Sequence, residues 1–156
     1  MRRLLATIRC DIRLQFRNGF YYAAAFTALV NVLILNWLPA KSLGWLLPAL
    51  LIENMLINTF YFIAGLVLLE KGEGTLAAQV VTPLRTWEYL AAKVLSLTLL
   101  SVVEALAIAG IALRLGFAPL PLIVGIALAA ALFCLYGFVV VARYDSINEY
   151  LLPSVL

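Results

Sequence analysis

The sequence predicts an all-α integral membrane protein, and three observations carry that expectation. Of 156 residues, 65% are hydrophobic and only 12% charged, against about 45–50% and about 25% in an ordinary globular domain. Four apolar runs, 20–38, 45–69, 94–113 and 120–142, each approach the roughly 20 residues that a spanning helix needs. None alternates strictly between polar and apolar residues, so helices are expected rather than strands.

Residues 1–18 come first and read differently. At about 100° per residue, Leu4, Leu5, Ile8, Ile12 and Phe16 fall in one arc, and Arg2, Arg3, Arg9, Arg13 and Arg17 in the adjoining one. This predicts a basic amphipathic helix lying in the membrane interface, with Arg2, Arg9, Arg13 and Arg17 at the membrane surface and a stop near Asn18-Gly19. No cleavable signal pattern is seen, so the first apolar run is expected to stay in the chain. Residues 19–156 then form the transmembrane domain. Pro48 is expected in the first turn of the second span, where its missing N–H costs little. Pro119 and Pro121 open the fourth.

Lys and Arg set the expected orientation. Nine fall on one side: the five N-terminal arginines, Lys71, Arg85 and Lys93 between spans two and three, and Arg143 after span four. Only Lys41 and Arg114 fall on the other. The positive-inside rule then places the N-terminus in the cytoplasm of a multi-pass protein of the cell membrane, a bacterial plasma membrane. Phe20, Tyr21, Tyr22, Trp87, Tyr89 and Tyr144 would mark the inner interface, Trp37 and Trp45 the outer.

Between the second and third spans lies a polar island, 70–93, "EKGEGTLAAQVVTPLRTWEYLAAK". Gly72 and Gly74 should break the preceding helix, Thr75 can cap a short helix "LAAQVV", and Thr82-Pro83 limits it. Its charges nearly cancel, which makes it a poor membrane anchor and suits it to docking a protein.

Two acids interrupt the spans, Glu53 in "LIENMLINTF" and Glu104 in "LSVVEALA". A charged residue costs roughly 2.5–3.5 kcal/mol at a helix centre, and each Leu, Ile, Phe or Val returns roughly 0.3–0.6. Both spans hold enough such residues to insert, and both acids should lie near the midplane. Asn54, Asn58 and Tyr61 share one face of the second span; Thr98, Ser101 and Glu104 share one face of the third, so both stripes should turn inward. They read as a substrate path (Glu53, Asn54, Asn58, Ser101, Glu104) or as hydrogen-bonding glue between helices. Gly125, Ala129 and Gly137 give the fourth span a small-residue face for close packing.

Other chemistries find little support. There is no histidine, and Cys10 and Cys134 lie too far apart in character for a disulfide, so no metal site and no catalytic residues are expected. No G-x-x-x-x-G-K-[ST] loop occurs, so this chain should bind no ATP of its own. No nucleic-acid partner is expected.

The basic helix with "DIRLQFRNGFYYA" running into the first span, and the second span ending in "LLEKGEGTLAAQVVTPLRTWEYLAAK", resemble the membrane subunits of type-2 ATP-binding-cassette (ABC-2) exporters, most of all the drug-efflux permeases. The resemblance implies that residues 1–18 are an elbow helix. It also implies that the island carries a coupling helix, docked on a separate ATPase through Glu70, Gly74, Thr75, Leu76, Thr82, Pro83 and Leu84, with Lys93 nearby. ATP and Mg would sit on that ATPase, and a second permease chain would complete a homo- or heterodimer in the lipid bilayer. Such permeases have six spans. Here "YDSINEYLLPSVL" reads as the approach to a fifth, starting about 150–156, so a front portion of a longer permease and a naturally short one are both expected readings. The rival function is a small, non-transporting four-span protein, such as an immunity or regulatory factor.

Overall fold

The computed structural model describes residues 2–37, 43–74, 86–113, 116–146 and 149–150, and only the backbone of residues 2–6, 43 and 86. It is all-helical, with no strand among the described residues. The elements are α1 (Arg2–Arg17), α2 (Phe20–Trp37), α3 (Leu43–Leu56), a π-helical turn (Ile57–Tyr61), α4 (Phe62–Gly72), α5 (Thr86–Ala112) and α6 (Pro119–Val141). Four stretches are long and apolar enough to cross a membrane: Phe20–Trp37, Gly44–Gly72, Trp87–Ala112 and Pro119–Val141. The protein is a multi-pass membrane protein.

Local sequence explains the breaks. Helix α1 ends where the Asn18 N–H bonds Leu14 O at 3.0 Å and Gly19 adopts φ 81°, a left-handed cap that leaves Phe20 free to start α2. Helix α4 ends at Gly72 with Glu73 as its cap, and Gly74 follows at φ 68°, a left-handed conformation that suits a residue without Cβ, so the break falls at the expected pair of glycines. Helix α6 starts on Pro119 after an extended Ala118, where proline's missing donor is harmless. Pro48 lies within α3, because that helix begins at Leu43 rather than 45.

Two features of the spans differ from the sequence expectation. The second span is not one regular helix: at Ile57–Tyr61 it widens into a π turn, and the Thr59 hydroxyl donates to Met55 O at 2.7 Å. The third begins at Thr86 rather than 94 and runs 27 residues without interruption. At about 1.5 Å per residue it is roughly 40 Å long, more than the roughly 30 Å of a hydrocarbon core. Its first turns therefore project beyond that core, and α1 packs across them.

Helix α5 is the centre of the bundle, touching α1, α2, α6 and the second span. Two apolar clusters fill the interior. One gathers Ala24, Phe62, Ile63, Leu66, Leu97, Cys134 and Val141 toward the α1 end. The other gathers Leu35, Leu47, Leu51, Met55, Ala105, Ile108, Ile126 and Ala130 toward the opposite end. Large side chains such as Leu29, Leu33, Leu99, Leu128 and Leu132 point outward, as lipid-facing residues do.

The fourth span packs through only part of its predicted small-residue face. Gly137 is buried, and a Cβ there would lie 2.5 Å from Ile63 Cγ2, so the helices meet nearly backbone to side chain. Gly125 is exposed with nothing near it, and Ala130 takes its place in the packing. Trp37 and Trp45 are strongly exposed, as an interfacial belt requires. The opposite belt is divided: Tyr22 and Trp87 are exposed, whereas Tyr21 stacks on Phe16, Phe20 meets Phe62 edge-on, and Tyr144 meets Tyr150.

Candidate functional site

Two buried polar groupings occupy the bundle. One separates the two apolar clusters; the other closes the end that carries α1.

The first is a polar layer at the π turn. Asn54, Asn58 and Thr59 from the second span, Asn31 from α2, and Ser101 and Glu104 from α5 are all buried, and Thr27 from α2 joins them. Glu104 is the hub. Asn58 Nδ2 donates to its Oε2, Thr27 Oγ1 lies 3.2 Å from its Oε1, and Asn54 bonds the same carboxyl. Asn54 Oδ1, Asn58 Oδ1, Ser101 Oγ and Thr98 Oγ1 are buried with no hydrogen-bond partner, so the layer holds spare polar capacity. The four residues Asn54, Asn58, Ser101 and Glu104, expected on inward stripes, do come together.

Glu53 does not join them. One position from Asn54 on a helix is about 100° around the axis, so Asn54 turning in sends Glu53 out. It is exposed on the flank of α3 beside Ile52 and Trp45, and bonds none of the described residues.

The second grouping is an ionic clamp. Lys93, at 0% exposure the largest side chain fully buried, reaches Glu70 Oε1 at 2.6 Å and Asp11 Oδ1 at 3.3 Å. The Tyr89 hydroxyl donates to Glu70 Oε2 at 2.6 Å, and the Lys93 ammonium sits 4.9 Å from the Tyr89 ring centre. One turn along each helix, Gln15 Nε2 donates to Ser96 Oγ at 2.9 Å. Burial pushes the Asp11 carboxyl above the ordinary carboxylate range; the Lys93 ammonium opposes this and the Glu70 carboxylate adds to it.

The clamp changes the picture of α1. Its predicted apolar and basic arcs leave a third sector, Thr7, Asp11 and Gln15 at i, i+4 and i+8, and Asp11 and Gln15 of that sector dock on α5. Phe16, on the apolar arc expected to face the membrane interface, is half exposed. Arg9, Arg13 and Arg17 face outward; of Arg2 only the backbone is described. Arg13 and Arg17 line a cleft with Cys10 and Glu73, and Arg17 Nη2 approaches Glu73 Oε2 at 3.9 Å.

Among the residues expected to contact an ATPase, Glu70 is buried inside the clamp and presents no surface to a partner. Gly74 is the exposed left-handed cap. Thr75, Leu76, Thr82, Pro83 and Leu84 lie outside the described residues, as do the whole of the expected short helix and the stretch 151–156. Sequence reasoning missed Asp11, Gln15, Thr27, Tyr89 and Ser96. The i, i+4 spacing of Asp11 and Gln15 was the one local sign.

The whole described architecture corresponds to a known family: the profile of the fluoroquinolones export permease protein family matches residues 2–156. The chain belongs to that family. Similar relatives include proteins named fluoroquinolones export permease protein from two strains of Mycobacterium tuberculosis, CDC 1551 / Oshkosh and H37Rv. Each is 37% identical over 156 residues, which is 100% of this chain and 66% of the relative. The chain thus spans slightly under two thirds of the length of these permease relatives. No solved structure matches it.

Proposed function

We propose that this chain is the membrane-spanning permease subunit of an ABC-2 type exporter, which couples ATP hydrolysis on a separate ATPase to efflux of a drug-like or amphipathic substrate. The observation that carries the coupling is the clamp. In the sequence, Glu70 precedes the connector 75–85 and Tyr89 and Lys93 follow it, and those three residues are tied to one another and to Asp11 of α1. A push on the connector would therefore reach α1, the second span and α5 together. In this reading the connector docks on the ATPase through Gly74, Thr75, Leu76, Thr82, Pro83 and Leu84. Glu70 serves from inside, as the anchor of one flank. ATP and Mg bind the ATPase, whose closure rocks two permease chains between inward- and outward-facing states.

The basic end, with the N-terminus, is assigned to the cytoplasm on the distribution of Lys and Arg. The substrate path is assigned to the polar layer and to the α3 flank that bears Glu53. Glu53 lies nine residues, about 14 Å, inside the span from Gly44. An ionisable side chain at hydrocarbon depth is rarely turned to lipid, so in this reading the flank faces protein or water. The relatives' names, which specify export of fluoroquinolones, give the substrate class to try first.

The test is transport in inverted membrane vesicles that contain the full-length permease and its ATPase, with a fluorescent fluoroquinolone as substrate. ATP-dependent uptake that vanishes when the ATPase is inactivated supports the reading. Uptake driven by a proton gradient without ATPase would overturn the coupling, and no uptake under either condition would favour the non-transporting reading.

A further inference from the structure

Glu104 poses a problem of balance. Its carboxyl is 5% exposed, deep in a membrane-spanning helix, and no Lys or Arg approaches it among the described residues. The groups facing it are neutral. Helix α2 offers Thr27 and Asn31, with its titratable Tyr21 and Tyr22 at the far end. The second span offers Asn54 and Asn58; its Glu53 turns outward, its Tyr61 packs against the apolar cluster toward α1, and its Glu70 and Lys71 lie toward the α1 end. Helix α6 carries only Cys134 and Tyr136 as titratable groups, and Cys134 packs in the apolar cluster toward α1. Lys93, the one cation on the same helix, is engaged by Glu70 and Asp11 eleven residues away.

The hydrogen bonds around Glu104 decide where its charge goes. A hydroxyl carries one hydrogen. Thr27 Oγ1 lies 2.9 Å from the carbonyl of Ala24 and 3.2 Å from Glu104 Oε1. Its hydrogen serves the shorter contact, the intrahelical one that threonine makes routinely. Between Thr27 Oγ1 and Glu104 Oε1 the missing hydrogen must then come from the glutamate. On the other oxygen, Asn58 Nδ2 donates, which suits a carbonyl. We propose that Glu104 is a proton-binding site, whose neutral carboxyl donates from Oε1 to Thr27 Oγ1 and accepts from Asn58 at Oε2.

With the proton in place, Thr27 accepts from Oε1, the amides of Asn54 and Asn58 donate to the carboxyl, and no charge is left in the membrane. Without it, Oε1 faces an oxygen that has no hydrogen to give. The proton can leave only when the layer opens, so the site is loaded in the closed bundle and discharged in an open one. This inference concerns the chain alone and stands or falls separately from coupling to an ATPase.

Infrared spectroscopy of the purified chain in lipid nanodiscs tests it directly, through the carbonyl stretch of a protonated carboxyl. At neutral pH that band should be present, persist in Glu53→Gln, and vanish in Glu104→Gln. Thr27→Val, which removes the acceptor, should move it to higher frequency. Glu104→Gln should melt with the parent, because an amide supplies the same donor and acceptor. Absence of the band, or its loss in Glu53→Gln with retention in Glu104→Gln, overturns the proposal. A band that appears only when sodium is replaced by choline would assign the site to a metal cation instead, and would equally overturn it.

Discussion

Lys93 Nζ lies 2.6 Å from Glu70 Oε1, and neither side chain meets solvent: the ammonium is fully enclosed and the carboxylate nearly so. This pair ties the end of the second span to the start of the third. Replacing Lys93 by Met would leave Glu70 and Asp11 facing each other with no cation. Breaking a buried pair in this way typically costs about 3–5 kcal/mol. Thermal unfolding in detergent should show a large loss for Lys93→Met and a smaller one for Lys93→Met with Glu70→Gln. Equal losses would mean that the two residues are not coupled.

Asp11 gives α1 a pH response. Its carboxyl is raised in the folded protein above the unfolded value of 3.8, with desolvation the largest cause. The docked state therefore holds the proton more tightly than the undocked one. The resulting stabilisation is full below 3.8 and is lost as pH rises through the raised value. A fluorophore on Cys10, which is exposed, should report tighter docking of α1 as pH falls from neutral. Asp11→Asn should abolish that dependence; a dependence that survives would place its origin elsewhere.

Gly137 and Ile63 are a steric pair. Gly137→Ala would set a methyl group 2.5 Å from Ile63 Cγ2, and β-branched Ile63 has little freedom to yield. Overpacking of this kind costs about 1–3 kcal/mol. Adding Ile63→Ala removes the opposing methyl group, so the double variant should melt above the sum of the two single losses. Strict additivity would show that the helices already separate at that point.

Glu53 separates transport from folding. Being exposed and unbonded, it should be replaceable by Leu with no loss of thermal stability. In the full permease the same change should lower fluoroquinolone efflux, measured as drug susceptibility, by an order of magnitude or more, a loss of about 1.4 kcal/mol in transition-state terms. Unchanged efflux would remove the α3 flank from the substrate path.

The spans, the helix break at Asn18-Gly19 and the inward stripe of Asn54, Asn58, Ser101 and Glu104 were all legible in the sequence, because each follows from length, apolar content or helical period. The clamp was not. Asp11, Glu70 and Lys93 come from three separate elements, and nothing local to any of them names the others; Lys93 reads as one more basic residue at a membrane flank. Tyr89 was read as an interfacial aromatic for the same reason, whereas its hydroxyl turns inward to Glu70. The π turn was hidden too, since "INTFY" contains no glycine or proline to mark it. Glu53 and Glu104 looked equivalent on the page and are not: a single residue's rotation beside Asn54 puts one outside and leaves the other as a hub.

Helix α5 carries Lys93 and Glu104 eleven residues apart, with neither glycine nor proline between them. At about 100° per residue that is three turns to within about 20°, and roughly 16 Å along the axis. The two side chains thus stand on one line of a stiff shaft, one in the clamp and one in the polar layer. Torque applied at the clamp end has no soft joint in which to dissipate, so twisting Lys93 out of its seat must swing Glu104 by a similar angle. Any rotation imposed on the clamp end of this helix would therefore carry the sealed carboxyl in the membrane with it, as an axle carries a wheel.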